Sequence, residues 1–277
     1  MASLTPLEAL ATSAVNGDAA ALSELCRRLE TPVFRLCLRV LGDPRDAEDA
    51  TQDVLVKVLT NLSSFEGRSA LTTWVHRIAV RHVLSRAPSR TETRAVPLDD
   101  FAALLDQGLA WAETAPAPGP DDRLLEKEVR LSCTQGMLMA LGREDRVALV
   151  LVEVLGFDAP DAAQVLEVSP EAMRQRLSRA RTKLEAFVGE RCGVVSQTAR
   201  CRCVKQIPAK QALGLTAEQR RFEPLTEARE AHLPEQVARA TAELRLVGRL
   251  FHADGPVFAP KAVRERLERL LPTVLGR

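Results

Sequence analysis

The sequence predicts an all-α chain: two small helical domains joined by a flexible linker, followed by a helical C-terminal extension. Three observations carry that reading. Apolar residues recur at helical spacing along most of the 277 residues, helix formers dominate, strand signals are weak and Tyr is absent. Prolines gather in one stretch in mid-chain. A Ser-Pro start signal at Ser169-Pro170 separates two helices across a tight turn. The expected boundaries are a first domain at 1–86, a linker at 87–120, a second domain at 121–188 and the extension at 189–277.

In the first domain Ala47, Ala50, Val54 and Val58 share one helical face, so Asp46, Glu48, Asp49, Gln52 and Asp53 project elsewhere. An acidic face suits a basic protein surface and is repelled by DNA. An acidic helix start accounts for Asp46, Glu48 and Asp49 on dipole grounds, but says little about Gln52 and Asp53. The next helix, Thr72 to Ser85, reverses the sign. His76, Arg77, Arg81, His82 and Arg86 surround an expected interior of Trp74, Ile78, Val83 and Leu84. Trp74 belongs in the core, since large aromatics are mostly buried. His76 and His82 are expected to face phosphate or solvent and not a metal.

The linker holds Pro88, Pro97, Pro116, Pro118, Gly119 and Pro120. Its Leu98, Phe101, Leu104, Leu105 and Trp111 give it enough apolar content for part of it to dock as a short helix.

The second domain ends in a helix, a turn and an arginine-rich helix, spanning Gly156 to Val188. Asp158 and Pro160 mark a helix start, with Ala162, Ala163, Val165 and Leu166 as its apolar positions. After the Glu167-Val168 turn, Ser169 caps the second helix and Pro170 occupies its first turn. Met173, Leu177, Ala180, Leu184 and Phe187 form its buried stripe. Glu171, Gln175, Ser178 and Arg179 take the far side, flanked by Arg174, Arg176, Arg181 and Lys183. Small polar groups facing base edges, with cations along the phosphates, are what a recognition helix needs. A basic amphipathic helix would by itself read as a solvated surface; the helix-turn-helix framing favours DNA.

Of six cysteines, Cys26 and Cys37 fall on apolar helical faces and are expected to be buried hydrophobes. Cys192, Cys201 and Cys203 lie in a polar segment after the recognition helix. Their C-x8-C-x-C spacing suits a soft metal, zinc or copper, or thiol chemistry. Cys133, His232 and His252 are the candidates for a fourth ligand. Beyond them, helices are expected at Thr216 to His232, Pro234 to His252 and Pro260 to Leu271, with apolar faces that need a partner surface.

These motifs resemble those of bacterial RNA polymerase sigma factors of the extracytoplasmic-function kind. Arg174-Gln175-Arg176-Leu177-Ser178-Arg179-Ala180-Arg181 is similar to the family's K-S-R-L-S-R-A-R, with Pro160-Asp161-Ala162-Ala163 departing from its usual acidic pair. Asp46 to Val54 resembles the helix that grips the polymerase clamp. Phe65 to Ala79 resembles F-x-G-R-S-x-F-x-T-W-L-x-R-I-A nearly residue for residue. The likeness covers roughly residues 12 to 188. It implies a first domain that binds polymerase and a −10 element, and a second that binds a −35 element. It assigns polymerase binding to Asp46, Glu48, Asp49, Gln52 and Asp53, and DNA binding to Arg77, Arg81, Arg174, Gln175, Arg176, Ser178, Arg179 and Lys183. Its implied partners are core RNA polymerase, double-stranded promoter DNA, the melted −10 strand and an anti-sigma factor. No cofactor is required by it. Some members carry C-terminal extensions, including cysteine-rich ones that sense metals.

Composition limits the alternatives. Lys and Arg total 38 against 37 Asp and Glu, so any nucleic-acid contact rests on clustering and not on net charge. The best apolar run, Val147 to Phe157, is short and holds Glu153, and the N-terminus lacks the signal-peptide pattern; a cytoplasmic location without membrane contact is expected. There is no phosphate loop, nucleophile triad or paired-carboxylate set, so a non-enzymatic role is expected. Two other readings remain open: an operator-binding regulator that acts alone, and a metal- or redox-sensing DNA binder without polymerase contact. Control of activity in cis by the extension, through Cys192, Cys201 and Cys203, belongs to the sigma-factor reading and not to these two.

Overall fold

The computed structural model describes residues 6–115, 122–214, 246–253 and 257–275. Helices α1 (Leu7–Val15), α2 (Ala19–Leu41), α3 (Pro44–Thr60) and α4 (Leu71–Ser85) come first. They are followed by α5 (Arg90–Thr93), α6 (Leu98–Ala112), α7 (Asp122–Met139) and α8 (Arg143–Leu149). A π turn at Val150–Val154 leads to α9 (Ala159–Leu166) and α10 (Pro170–Arg191). A 3-10 turn at Cys203–Gln206 then precedes α11 (Ile207–Ala212), α12 (Leu246–Ala253) and α13 (Lys261–Leu275). The described residues contain no strand, only an isolated bridge between Cys192 and Cys201. The expected helices at 216–232 and 234–252 fall largely outside the described residues; α12 is the described end of the second.

Two compact units divide the chain: Met1–Arg90 with Val150–Arg174 and Phe258–Arg277, and Thr91–Leu149 with Gln175–Val257. These limits cut across the segments 1–86, 87–120, 121–188 and 189–277.

The first unit is built around α2. The Asp18 carboxylate accepts from the Ala20 and Ala21 N–H groups at 2.9 and 3.0 Å and so caps its start. Gly42, at φ +78°, ends it in the left-handed conformation that glycine adopts without strain. Asp43 caps α3 in the same way, with Pro44 in the first turn. The face of α3 with Ala47, Ala50, Val54 and Val58 is fully buried, as its spacing predicts. In α4 the buried face is Leu71, Val75, Ala79 and Val83, while Trp74, Ile78 and Leu84 are only half-buried. Trp74 instead tilts against Phe65, with ring centroids 5.6 Å apart. α9 packs against α4, and α13 against α2 and α3.

In the second unit the stretch expected to be a linker carries α6. Phe101 of α6 stacks on Phe187 of α10 at 6.0 Å. A Cβ at Gly136 of α7 would meet the Phe101 ring at 2.9 Å, so glycine permits that approach. Gln206 donates to the Leu105 carbonyl at 2.8 Å, and Leu125 and Val129 of α7 bury Ile207. The chain before the second domain is therefore partly a docked helix, because apolar side chains at helical spacing outweigh the flanking prolines.

Candidate nucleic-acid interface

The helix-turn-helix closes as the caps dictate. The Asp158 carboxylate accepts from Asp161 N–H at 2.7 Å and opens α9. Glu167 ends it at φ +54°, ψ +42°, a left-handed geometry that reverses the chain. The Ser169 hydroxyl oxygen then accepts from Ala172 N–H at 3.1 Å and opens α10. Met173, Leu177, Ala180, Leu184 and Val188 are buried along α10, and Phe187 is half-buried.

On the other side Arg174, Gln175, Ser178, Arg179 and Lys183 are exposed. Three of the candidate arginines on α10 have intramolecular partners. Arg176 is half-buried and pairs with Glu144 at 2.7 Å. Arg179 forks Asp145 at 3.1 and 2.7 Å, which raises its already high pKa through that carboxylate. Arg174 pairs with Glu171 one turn earlier. These acids neutralise part of the charge that phosphate would meet. Each pair keeps at least one member open to solvent, which weakens it, so phosphate can displace the acid.

The basic face of α4 is also engaged. Arg77 donates to the Gln164 carbonyl at 3.2 Å, and Arg81 forks Glu167. Both partners belong to α9 or the turn behind it, within the same unit.

His76 is not solvated as its position among cations predicts. It is 3% exposed, its Nδ1 lies 2.7 Å from the Thr72 carbonyl, and its ring sits edge-on to Phe157 at 4.9 Å. Burial holds its pKa below the ordinary histidine value; the Thr72 contact opposes that shift. The helical phase explains the difference: Leu71, Val75 and Ala79 turn His76 inward. His82 lies 2.8 Å from Lys57 Nζ and 3.4 Å from Asp53, and burial, then Lys57, lowers its pKa.

The acidic face of α3 forms only in part. Asp49 and Asp53 are exposed, and Asp46 and Glu48 half-exposed. Gln52 is 8% exposed and drops out of the set, because it shares the buried side with neighbouring Thr51. Asp53 lies 3.4 Å from Arg86, and Asp49 lies 3.6 Å from Arg266 of α13. Sequence reasoning did not pair Arg266 with Asp49, nor Glu144 and Asp145 with Arg176 and Arg179, since pairs far apart along the chain leave no local pattern.

Cys26 and Cys37 are buried as expected, and burial pushes both thiols up to about 12. Cys192, Cys201 and Cys203 gather with Cys133 around one cavity of about 30 Å³, also lined by Leu105, Val129, Met137 and Phe187. Gly193 N–H donates to the Cys201 carbonyl at 2.9 Å, and Gln206 Nε2 to Cys201 Sγ at 3.6 Å. Burial raises the Cys133, Cys201 and Cys203 thiols, the last to about 12. Four thiols are a soft donor set. Even so, among the described residues no group of three or more His, Cys, Asp or Glu is spaced to hold a metal ion. His232 lies outside the described residues. No helix among them is long and apolar enough to cross a membrane.

Comparison with known proteins matches Sigma-70 region 2 to residues 25–92 and Sigma-70, region 4 to residues 131–184. The ECF RNA polymerase sigma factor SigM of Mycobacterium tuberculosis is 31% identical over 175 residues, spanning 63% of this chain and 81% of SigM. SigE of Mycolicibacterium smegmatis is 28% identical over 189 residues, 66% of this chain and 68% of SigE. Among solved structures, CnrH in complex with the cytosolic domain of CnrY aligns over 65% of this chain and 94% of CnrH, at 24% identity and a TM-score of 0.44.

Proposed function

The chain belongs to the ECF RNA polymerase sigma factors, and on that premise we propose how it divides the family's work among its own residues. It directs core RNA polymerase to specific promoters and starts transcription there; polymerase and promoter DNA are its partners. It acts in the cytoplasm and catalyses nothing itself. Gln175 and Ser178 read base edges of the −35 element, with Arg174 and Lys183 on the flanking phosphates. Arg176 and Arg179 join them after exchanging Glu144 and Asp145 for phosphate. Arg77 and Arg81 serve the −10 element once they leave Gln164 and Glu167. Asp49 and Asp53 supply the acidic contact to polymerase, with Asp46 and Glu48 at its edge.

The observation that supports this most is the exposed polar side of α10, presented behind the Ser169 cap of a closed helix-turn-helix. Run-off transcription tests it. Core polymerase with this chain is expected to yield a discrete product from its cognate promoter, and polymerase alone none. Promoter binding by the chain that adding polymerase leaves unchanged would instead make it an operator-binding regulator. Zinc or copper enters only as an added proposal, on the soft donor chemistry of the four thiols around one cavity, which would have to draw closer to hold an ion. Metal analysis of the purified chain tests that.

A further inference from the structure

The last described helix lies on the face assigned to polymerase. Val263 and Leu267 of α13 are 0% and 3% exposed, and α13 packs on both α2 and α3. Just upstream, Ala259 is buried and its N–H reaches Thr31 Oγ1 at 3.5 Å. Arg264 forks the Glu30 carboxylate of α2, with Nε at 3.1 and 3.3 Å from its two oxygens and Nη2 closing the second arm. Glu30 is itself only 2% exposed. Two turns of α13 thus combine a short apolar edge, an ion pair that is buried on its Glu30 side only, and a second arginine, Arg266, set 3.6 Å from Asp49.

The joint is not packed like a core. A cleft of about 340 Å³ runs along it, lined by Ser23, Cys26, Arg27 and Glu30 of α2 and by Leu267 and Glu268 of α13. Native interiors leave few voids larger than a water molecule. A contact with a small apolar edge, an open cleft and an exposed arginine–aspartate pair is suited to being made and broken.

We propose that α13 is a releasable cover for the acidic face of α3, and that it competes with the basic surface of core RNA polymerase for Asp49. This rests on the reading of Asp49 as a polymerase contact. Arg266 presents to Asp49 the same chemistry that a basic polymerase surface would. The free chain is then mostly closed, and polymerase captures the open fraction. Apparent affinity falls by that fraction, so a cover closed nine-tenths of the time weakens binding about tenfold.

The experiment measures affinity of the full chain for core polymerase. Arg266→Glu changes a side chain that is 57% exposed and leaves the apolar contacts alone. Leu267→Asp breaks the apolar edge. Both are expected to bind core polymerase about 3–10-fold more tightly than the parent, with unchanged helicity by circular dichroism. Hydrogen exchange gives a second readout that needs no mutation: amides of 261–275 should exchange faster when core polymerase is added. Unchanged or weaker affinity in folded Arg266→Glu, with no change in exchange, overturns the cover. Asp49→Lys separates the two ideas. If it weakens polymerase binding while Arg266→Glu does nothing, the acidic face stands and the cover falls. If it binds as the parent does, Asp49 is not a polymerase contact and the competition is refuted with it.

Discussion

His76 shows what one buried ring does to this fold. Its imidazole is held neutral by burial, so its folded pKa lies below the unfolded value of about 6.5. Below that pH the unfolded chain binds a proton that the folded chain resists. Stability is therefore full above about pH 6.5 and is lost as pH falls, by at most about 1.4 kcal/mol per pH unit for one proton. Denaturant midpoints measured between pH 7.5 and 5.5 should fall, and His76→Gln should flatten the fall to the share left by His82, whose pKa is also lowered. On α10 the side chains divide by chemistry. Lys183→Ala should weaken binding to every promoter and reduce the salt slope by about one ion. Gln175→Ala should shift preference among −35 variants by about 1–3 kcal/mol. An equal loss on all sequences for Gln175→Ala would show that it does not face the bases.

Short elements carry constraints out of proportion to their length. The four-residue helix α5 brings Glu92 to Arg143 at 2.7 Å and Arg146 at 2.8 Å, with the Glu92 side chain 7% exposed. Arg146 also donates to the carbonyls of Leu138, Met139 and Leu141, tying the end of α7 to α8. Removing one partner of a buried pair leaves a buried charge, at a cost of about 3–5 kcal/mol. Urea unfolding of Glu92→Ala should register a loss of that size; a loss under 1 kcal/mol would mean that water replaces the carboxylate. Glu92 was not legible in the sequence, because it sits among Thr and Arg in a proline-flanked stretch. The caps at Asp158 and Ser169 were legible, since capping is local chemistry. So was the buried stripe of α10, whose apolar residues keep one phase. α4 was misread in phase: its half-buried Trp74 and Ile78 outweighed Val75 and Ala79 in the pattern, and His76 followed them to the wrong side.

At the scale of the molecule, sequence segments and compact units are different divisions. Residues 150–174 and 258–277 join the unit that begins at the N-terminal side, although both lie far along the chain. Periodicity within a window cannot show that, because nothing in the apolar edge of α9 or α13 names the surface it meets. The all-α architecture and the family were readable from local motifs. The engagement of Arg77, Arg81 and Asp49 by distant residues was not, and those contacts are long-range ion pairs and a carbonyl bond with no local signature.

The Glu30–Arg264 pair joins residues separated by 234 positions. Synthesis delivers them at very different times. At about 5–20 residues per second, Glu30 leaves the ribosome roughly 10–50 s before its partner exists. Through that interval α2 holds a carboxylate with no guanidinium to meet it, and Asp49 stands uncovered on α3. A nascent chain is thus chemically unlike one that has reached Arg264 and Arg266: the side of α3 that carries Asp49 is open at first, and meets its arginine only once α13 has been made.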